Sequence, residues 1–135
     1  MLRIAHIALS ISNLEKTIAF YKNNFGLKCR EKLQIESAGL KIAILKKGDV
    51  SLELFEFKRH KPLPIYRKDL DSDLKTIGAK HFAFAVADIG EEYKRLKKSG
   101  VHFATDMRTL ENGLRYFFIK DPDGIFIEII EEGNR

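Results

Sequence analysis

The chain is predicted to be an α+β protein built from two tandem modules, each running strand, helix, strand, strand, strand. Three observations carry this. Apolar and polar residues alternate in short runs, the pattern of half-buried strands. One amphipathic helical segment follows the first such run in each half. And the pattern of the first half returns in the second at a constant offset: His81 follows His6 by 75 positions, and Glu128 follows Glu53 by 75.

In order, Leu2 to Ile11 alternates, with Ile4, His6, Ala8 and Ser10 on one face and Ala5, Ile7, Leu9 and Ile11 on the other. A helix follows: Ser12 and Glu15 have capping-box spacing, and Leu14, Ile18, Tyr21 and Phe25 recur on one helical face. Gly26 stands where a C-cap needs positive φ. Strands are predicted over Leu27 to Glu36, Leu40 to Leu45 and Val50 to Phe57, divided by Gly39 and the Lys47-Gly48-Asp49 turn. Residues 58–79 carry Pro62, Pro64 and Gly78 and read as a linker with a short helical turn near Tyr66 to Leu74.

The second half opens with a strand over Lys80 to Ala87 and a helix capped by Asp88 with Glu91 and closed by Gly100. Strands are expected near Val101 to Thr105, Leu114 to Ile119 and Ile125 to Ile130, the last after the turn Asp121-Pro122-Asp123-Gly124. Helix-face residues keep the offset, since Leu14, Ile18 and Tyr21 map to Ile89, Tyr93 and Leu96. Two copies of so long a period indicate a paired-module fold; a solenoid needs more units to bury its core. The expected organisation is one domain over 1–135, with module 1 at about 1–57, a linker at 58–79 and module 2 at about 80–132.

The hydrophobic share of 44% and charged share of 32% are those of a globular protein with a real core. With no apolar run of about 18 residues and no signal-peptide pattern, the expectation is a cytoplasmic protein without a membrane partner. Cys29 is the single cysteine, which excludes an internal disulfide. The net charge of +5 is spread along the chain, with one modest cluster at Lys58-Arg59-His60-Lys61. It argues weakly for an anionic small-molecule substrate. Zinc-finger spacing and basic helices with interleaved aromatics are both absent, which argues against nucleic acid.

The chemistry lies in the repeat. Each module supplies one His from its first strand and one Glu from its last: His6 and Glu53, His81 and Glu128. The histidines share faces with small residues, Ala8 and Ser10 in one case and Ala79, Ala83, Ala85 and Ala87 in the other, while Ile7, Leu9, Phe82 and Phe84 face the other way. Large residues belong where helices pack, and small ones leave room for something else. Glu53 shares its face with Phe55 and Phe57, so it either reaches solvent or meets a positive charge. Two imidazoles and two carboxylates suit a divalent first-row ion such as Ni, Zn, Fe, Co or Mn, which would supply that charge. His60 and His102 have no counterpart of their kind in the repeat and are expected at the surface.

These residues resemble the vicinal oxygen chelate superfamily, the glyoxalase I, bleomycin resistance and dioxygenase family. The resemblance spans essentially the whole chain and rests on Ile4-Ala5-His6-Ile7-Ala8-Leu9, Phe20-Tyr21, Phe25-Gly26-Leu27, Leu52-Glu53-Leu54-Phe55, Lys80-His81-Phe82-Ala83-Phe84, and Asp121-Pro122-Asp123-Gly124 with Ile127-Glu128. It implies two βαβββ modules forming one curved, eight-stranded mixed sheet around a metal held by His6, Glu53, His81 and Glu128. A ligating carboxylate at Glu53 resembles glyoxalase I and methylmalonyl-CoA epimerase rather than members with a His, His, Glu site. The implied activity is a lyase or isomerase that moves a proton next to a metal-bound carbonyl. Glu128 would be the base and Glu53 its partner. The implied substrate is a small anionic carbonyl or thioester compound, with glutathione or another thiol as a candidate co-substrate, and the implied assembly is a homodimer. The alternatives are an epimerase-like isomerase and a small-molecule-binding or resistance protein of the same fold.

Overall fold

The structure, a computed structural model, describes residues 1–133. It comprises two compact units, Met1–Pro62 and Leu63–Arg135. In the first, β1 (Ile7–Ser10), α1 (Leu14–Phe25), β2 (Lys28–Ile35), β3 (Leu40–Lys47) and β4 (Val50–Phe57) form a four-stranded sheet of order β1-β4-β3-β2 with the helix packed against it. β1 and β4 run parallel, with Ala8 opposite Glu53; the other pairs are antiparallel.

Alternation along β4 does the sorting. Leu52 and Leu54 are fully buried with Ala43 and Leu45 of β3, whereas Glu53 and Phe55 on the other face are only half-buried. Leu14, Ile18 and Tyr21 of α1 and Leu9 and Ile11 complete this core. Each such aliphatic side chain contributes about 1.5–3 kcal/mol on burial. Gly26 ends α1 at φ 69°, and its N–H reaches the Lys22 and Tyr21 carbonyls.

The second unit opens with a short 3₁₀ turn (Ile65–Arg67) and α2 (Leu70–Lys75). There follow β5 (Phe82–Val86), α3 (Ile89–Ser99), β6 (His102–Phe103), β7 (Arg108–Thr109), β8 (Arg115–Lys120) and β9 (Phe126–Glu131). The sheet order is β5-β9-β8-β6, with β7 also paired to β8. β5 and β9 are parallel, with Ala83 opposite Glu128, repeating the β1–β4 arrangement. Ile127, Ile129, Phe117 and Ile119 form the core with Ile89 and Leu96 of α3. The Phe103 and Phe117 rings stack at 5.3 Å, with Tyr93 edge-on to both.

The α+β architecture of two modules, each with a mixed sheet, is as expected, and four details differ. β7 adds a ninth strand among the described residues. The first strand is Ile7–Ser10, not Leu2 to Ile11, because it pairs only with Leu52 to Phe55 of β4, leaving Leu2 and Ile4 exposed. The N-cap of α1 is Asn13, whose side chain accepts from the Lys16 N–H, one residue beyond the expected Ser12. β6 is limited to two residues by its short pairing with β8. The cap of α3 is Asp88 as expected, accepting from the Glu91 N–H. Among the described residues no helix is long and apolar enough to cross a membrane.

Candidate metal centre

Parallel pairing brings each His to its own module's Glu. His6 lies two residues before Ala8, the register partner of Glu53, so the two side chains leave the sheet on one face. His6 Nε2 stands 3.0 Å from Glu53 Oε2. In the second unit His81 lies two residues before Ala83, the partner of Glu128, and His81 Nε2 stands 3.0 Å from Glu128 Oε2. The same atoms meet at the same distance in both modules. Small residues flank each pair as expected: Ala8, Ser10, Ala83 and Ala85 are exposed, so no side chain roofs the sheet there.

The pairs differ in their surroundings. The His6 side chain is 49% exposed and Glu53 23%; His81 and Glu128 are 19% and 16% exposed. The second pair is therefore less screened by water. The Phe118 ring stands edge-on to the His81 ring at 4.8 Å and fixes its plane. His81 Nδ1 is buried with no hydrogen-bond partner among the described residues, so its tautomer is set at the other nitrogen, where Nε2 faces the Glu128 carboxylate.

Position at β9 is set by the turn before it. Asp121 is buried, and its Oδ1 accepts from the N–H groups of Asp123 and Ile125, each at 2.9 Å. Burial pushes the Asp121 carboxyl up to about 6 against the pull of those backbone donors.

Each pair fits a first-row cation. Metal–nitrogen and metal–oxygen bonds of about 2.1 Å meeting at about a right angle separate N from O by about 3.0 Å, the distance found in both modules. The same separation also serves an imidazolium–carboxylate hydrogen bond. Among the described residues no three His, Cys, Asp or Glu side chains gather at one point, so each pair stands as a two-ligand unit. His60 and His102 are exposed, as expected.

The two-module fold is that of a known superfamily. The profile of the Glyoxalase/Bleomycin resistance protein/Dioxygenase superfamily matches residues 3–129, and the chain belongs to that superfamily. It is 28% identical over 133 residues to the Bacillus subtilis protein YwbC, covering 96% of this chain and 97% of the relative. It is 26% identical over 134 residues to a lactoylglutathione lyase of Neisseria meningitidis, covering 97% and 91%. Among solved structures, a glyoxalase family protein from Enterococcus faecalis superposes with a TM-score of 0.82 at 27% identity, covering 96% and 97%.

Proposed function

We propose that the protein is a metal-dependent, glyoxalase I-like lyase or isomerase that moves a proton next to the carbonyl of a small anionic substrate. The observation that carries this is the duplicated pair, His6–Glu53 and His81–Glu128, at 3.0 Å in each module. The reading takes the two pairs as halves of one centre holding a divalent ion such as Ni, Zn, Fe, Co or Mn, in a homodimer. When bound, the ion would supply Lewis-acid polarisation of the substrate oxygen. Glu128 is the base: its carboxylate takes the proton from the carbon beside the carbonyl and returns it to the neighbouring carbon. Glu53, 3.0 Å from His6, would hold the ion together with that histidine and serve as partner to Glu128. The small residues Ala83 and Ala85 on the same face leave the space a substrate needs.

Support for a thiol-conjugated substrate comes from the lactoylglutathione lyase relative. The test is metal analysis of protein purified without added metal, combined with turnover of the methylglyoxal–glutathione adduct. Turnover is expected to need the metal. Glu128→Gln is expected to keep part of the metal and lose about 10²–10⁴-fold in turnover. Undiminished turnover in that variant would remove Glu128 as the base. A metal-free protein without turnover would point to a small-molecule-binding role instead.

A further inference from the structure

The second unit also carries a cleft of about 520 Å³ between the α2 segment and the ends of β6, β8 and β9. That volume is within the range of small-molecule sites. Lys68, Arg108, Lys120 and His102 line it, with Phe126 as an apolar wall. Its carboxylates, Asp69 and Asp71, are engaged elsewhere. Asp69 caps α2 by accepting from the Ser72 N–H, and Asp71 is paired with Lys75 at 2.9 Å. Lys68, Arg108 and Lys120 form no ion pair among the described residues; Lys120 donates to the Lys68 carbonyl at 3.3 Å and lies near enough to Asp69 to hold that carboxyl's pKa down together with the Ser72 bonds.

The cleft shares a face with the His81–Glu128 pair. Across β8 and β9, Lys120 is opposite Phe126 and Phe118 is opposite Glu128, and residues two apart on a strand point the same way. The Lys120 ammonium lies 5.5 Å from the Phe126 ring centre. Phe126 is 6.5 Å from Phe118, which is 4.8 Å from the His81 ring. Two largely buried rings, Phe126 and Phe118, thus lie between the basic cleft and the pair on one face of the sheet.

We propose that this cleft is the anion-holding end of the substrate site: it takes a carboxylate or phosphate tail of an elongated substrate whose reacting end reaches His81 and Glu128 across the sheet face that Lys120, Phe126 and Glu128 share. A guanidinium and two ammonium groups suit such an oxyanion. The placement of the reacting end rests on the function proposed above; the binding of the anion does not.

The test starts without metal. The ¹⁵N-labelled full chain, treated with chelator, is titrated separately with inorganic phosphate and with succinate at constant ionic strength. Saturable shifts are expected at amides of residues 68–71, 102–108, 120 and 126, and the tighter probe identifies the head group. Lys120→Gln and Arg108→Gln, each checked for a native spectrum, are expected to weaken binding about 10-fold or more, and Lys28→Gln to leave it unchanged. Shifts that do not saturate, or that ignore both cleft variants, overturn the proposal. With the metal-loaded enzyme and the methylglyoxal–glutathione adduct, Lys120→Gln is expected to raise KM about 10-fold or more with kcat and metal content little changed. An unaltered KM removes the cleft from the substrate site. Anion binding without any turnover by the unaltered enzyme overturns the proposed function and the shared site, and leaves a separate anion site.

Discussion

Asp121 is a buried carboxylate held by two backbone N–H groups, and its burial has a consequence for stability. The ordinary carboxyl value of 3.8 is raised to about 6, chiefly by desolvation. Below about pH 4 the group is neutral in both folded and unfolded chains and costs nothing. Between about pH 4 and pH 6 the unfolded chain ionises first, so the folded state binds more protons and stability falls as pH rises. Above pH 6 the loss is constant, at about 3 kcal/mol. Asp121→Asn keeps an oxygen to accept from Asp123 and Ile125 but cannot ionise. Its stability relative to the unaltered protein is expected to rise from pH 4 to pH 6 and then level off, read from urea midpoints at each pH. A difference that does not change with pH would show that Asp121 ionises as freely folded as unfolded.

Among elements, α2 is the one most in need of outside support. Six residues are too few for a stable isolated helix. What holds it is Asp73, buried on its inner side, with Arg67 Nε at 3.3 Å and Lys80 Nζ at 3.5 Å from its Oδ1, and Lys80 Nζ also donating to the Asp73 carbonyl at 2.8 Å. Asp73→Ala is expected to cost about 2–3 kcal/mol and to speed hydrogen exchange at amides 73–76 more than in β9. Uniform acceleration across the unit would show that Asp73 supports the whole fold rather than this helix. Elements with a local signature could be read from the chain alone. The β4 range was readable to the residue because alternation, the turn at Gly48 and the break after Phe57 all bound it. Two-residue strands such as β7 carry no alternation, and pairing to β8 alone creates it. The slip from Ser12 to Asn13 has the same root: both residues are good caps, and where the chain turns off β1 decides between them. Asn13→Ala is expected to lose about 1 kcal/mol in denaturant unfolding, with Ser12→Ala losing less.

At the scale of the molecule, the offset of 75 residues made the four candidate ligands legible, because it is a regularity of the chain itself. Their pairing within each module was not, since it depends on the parallel register that sets Ala8 against Glu53 and Ala83 against Glu128. The basic cleft was illegible for the same reason: Lys68, Arg108 and Lys120 come from three segments with no common spacing. Whether the pairs act as one centre is a question of energetic coupling, and mutation can answer it. An ion present at about 100 times its Kd stabilises the folded protein by about 2.7 kcal/mol, a gain that a chelator reverses. If His6 and His81 serve one ion, removing either strips most of that gain, and the double variant loses no more than the worse single one. If each pair binds its own ion, the losses add, as they do for independent sites. The expected result for His6→Ala, His81→Ala and the double variant is non-additivity, read from metal content after dialysis and from the metal-induced rise in Tm. Because His6 is the more exposed histidine, its loss is expected to disturb the metal-free Tm less than that of His81, so the metal-dependent part of each shift can be separated from the cost to the fold.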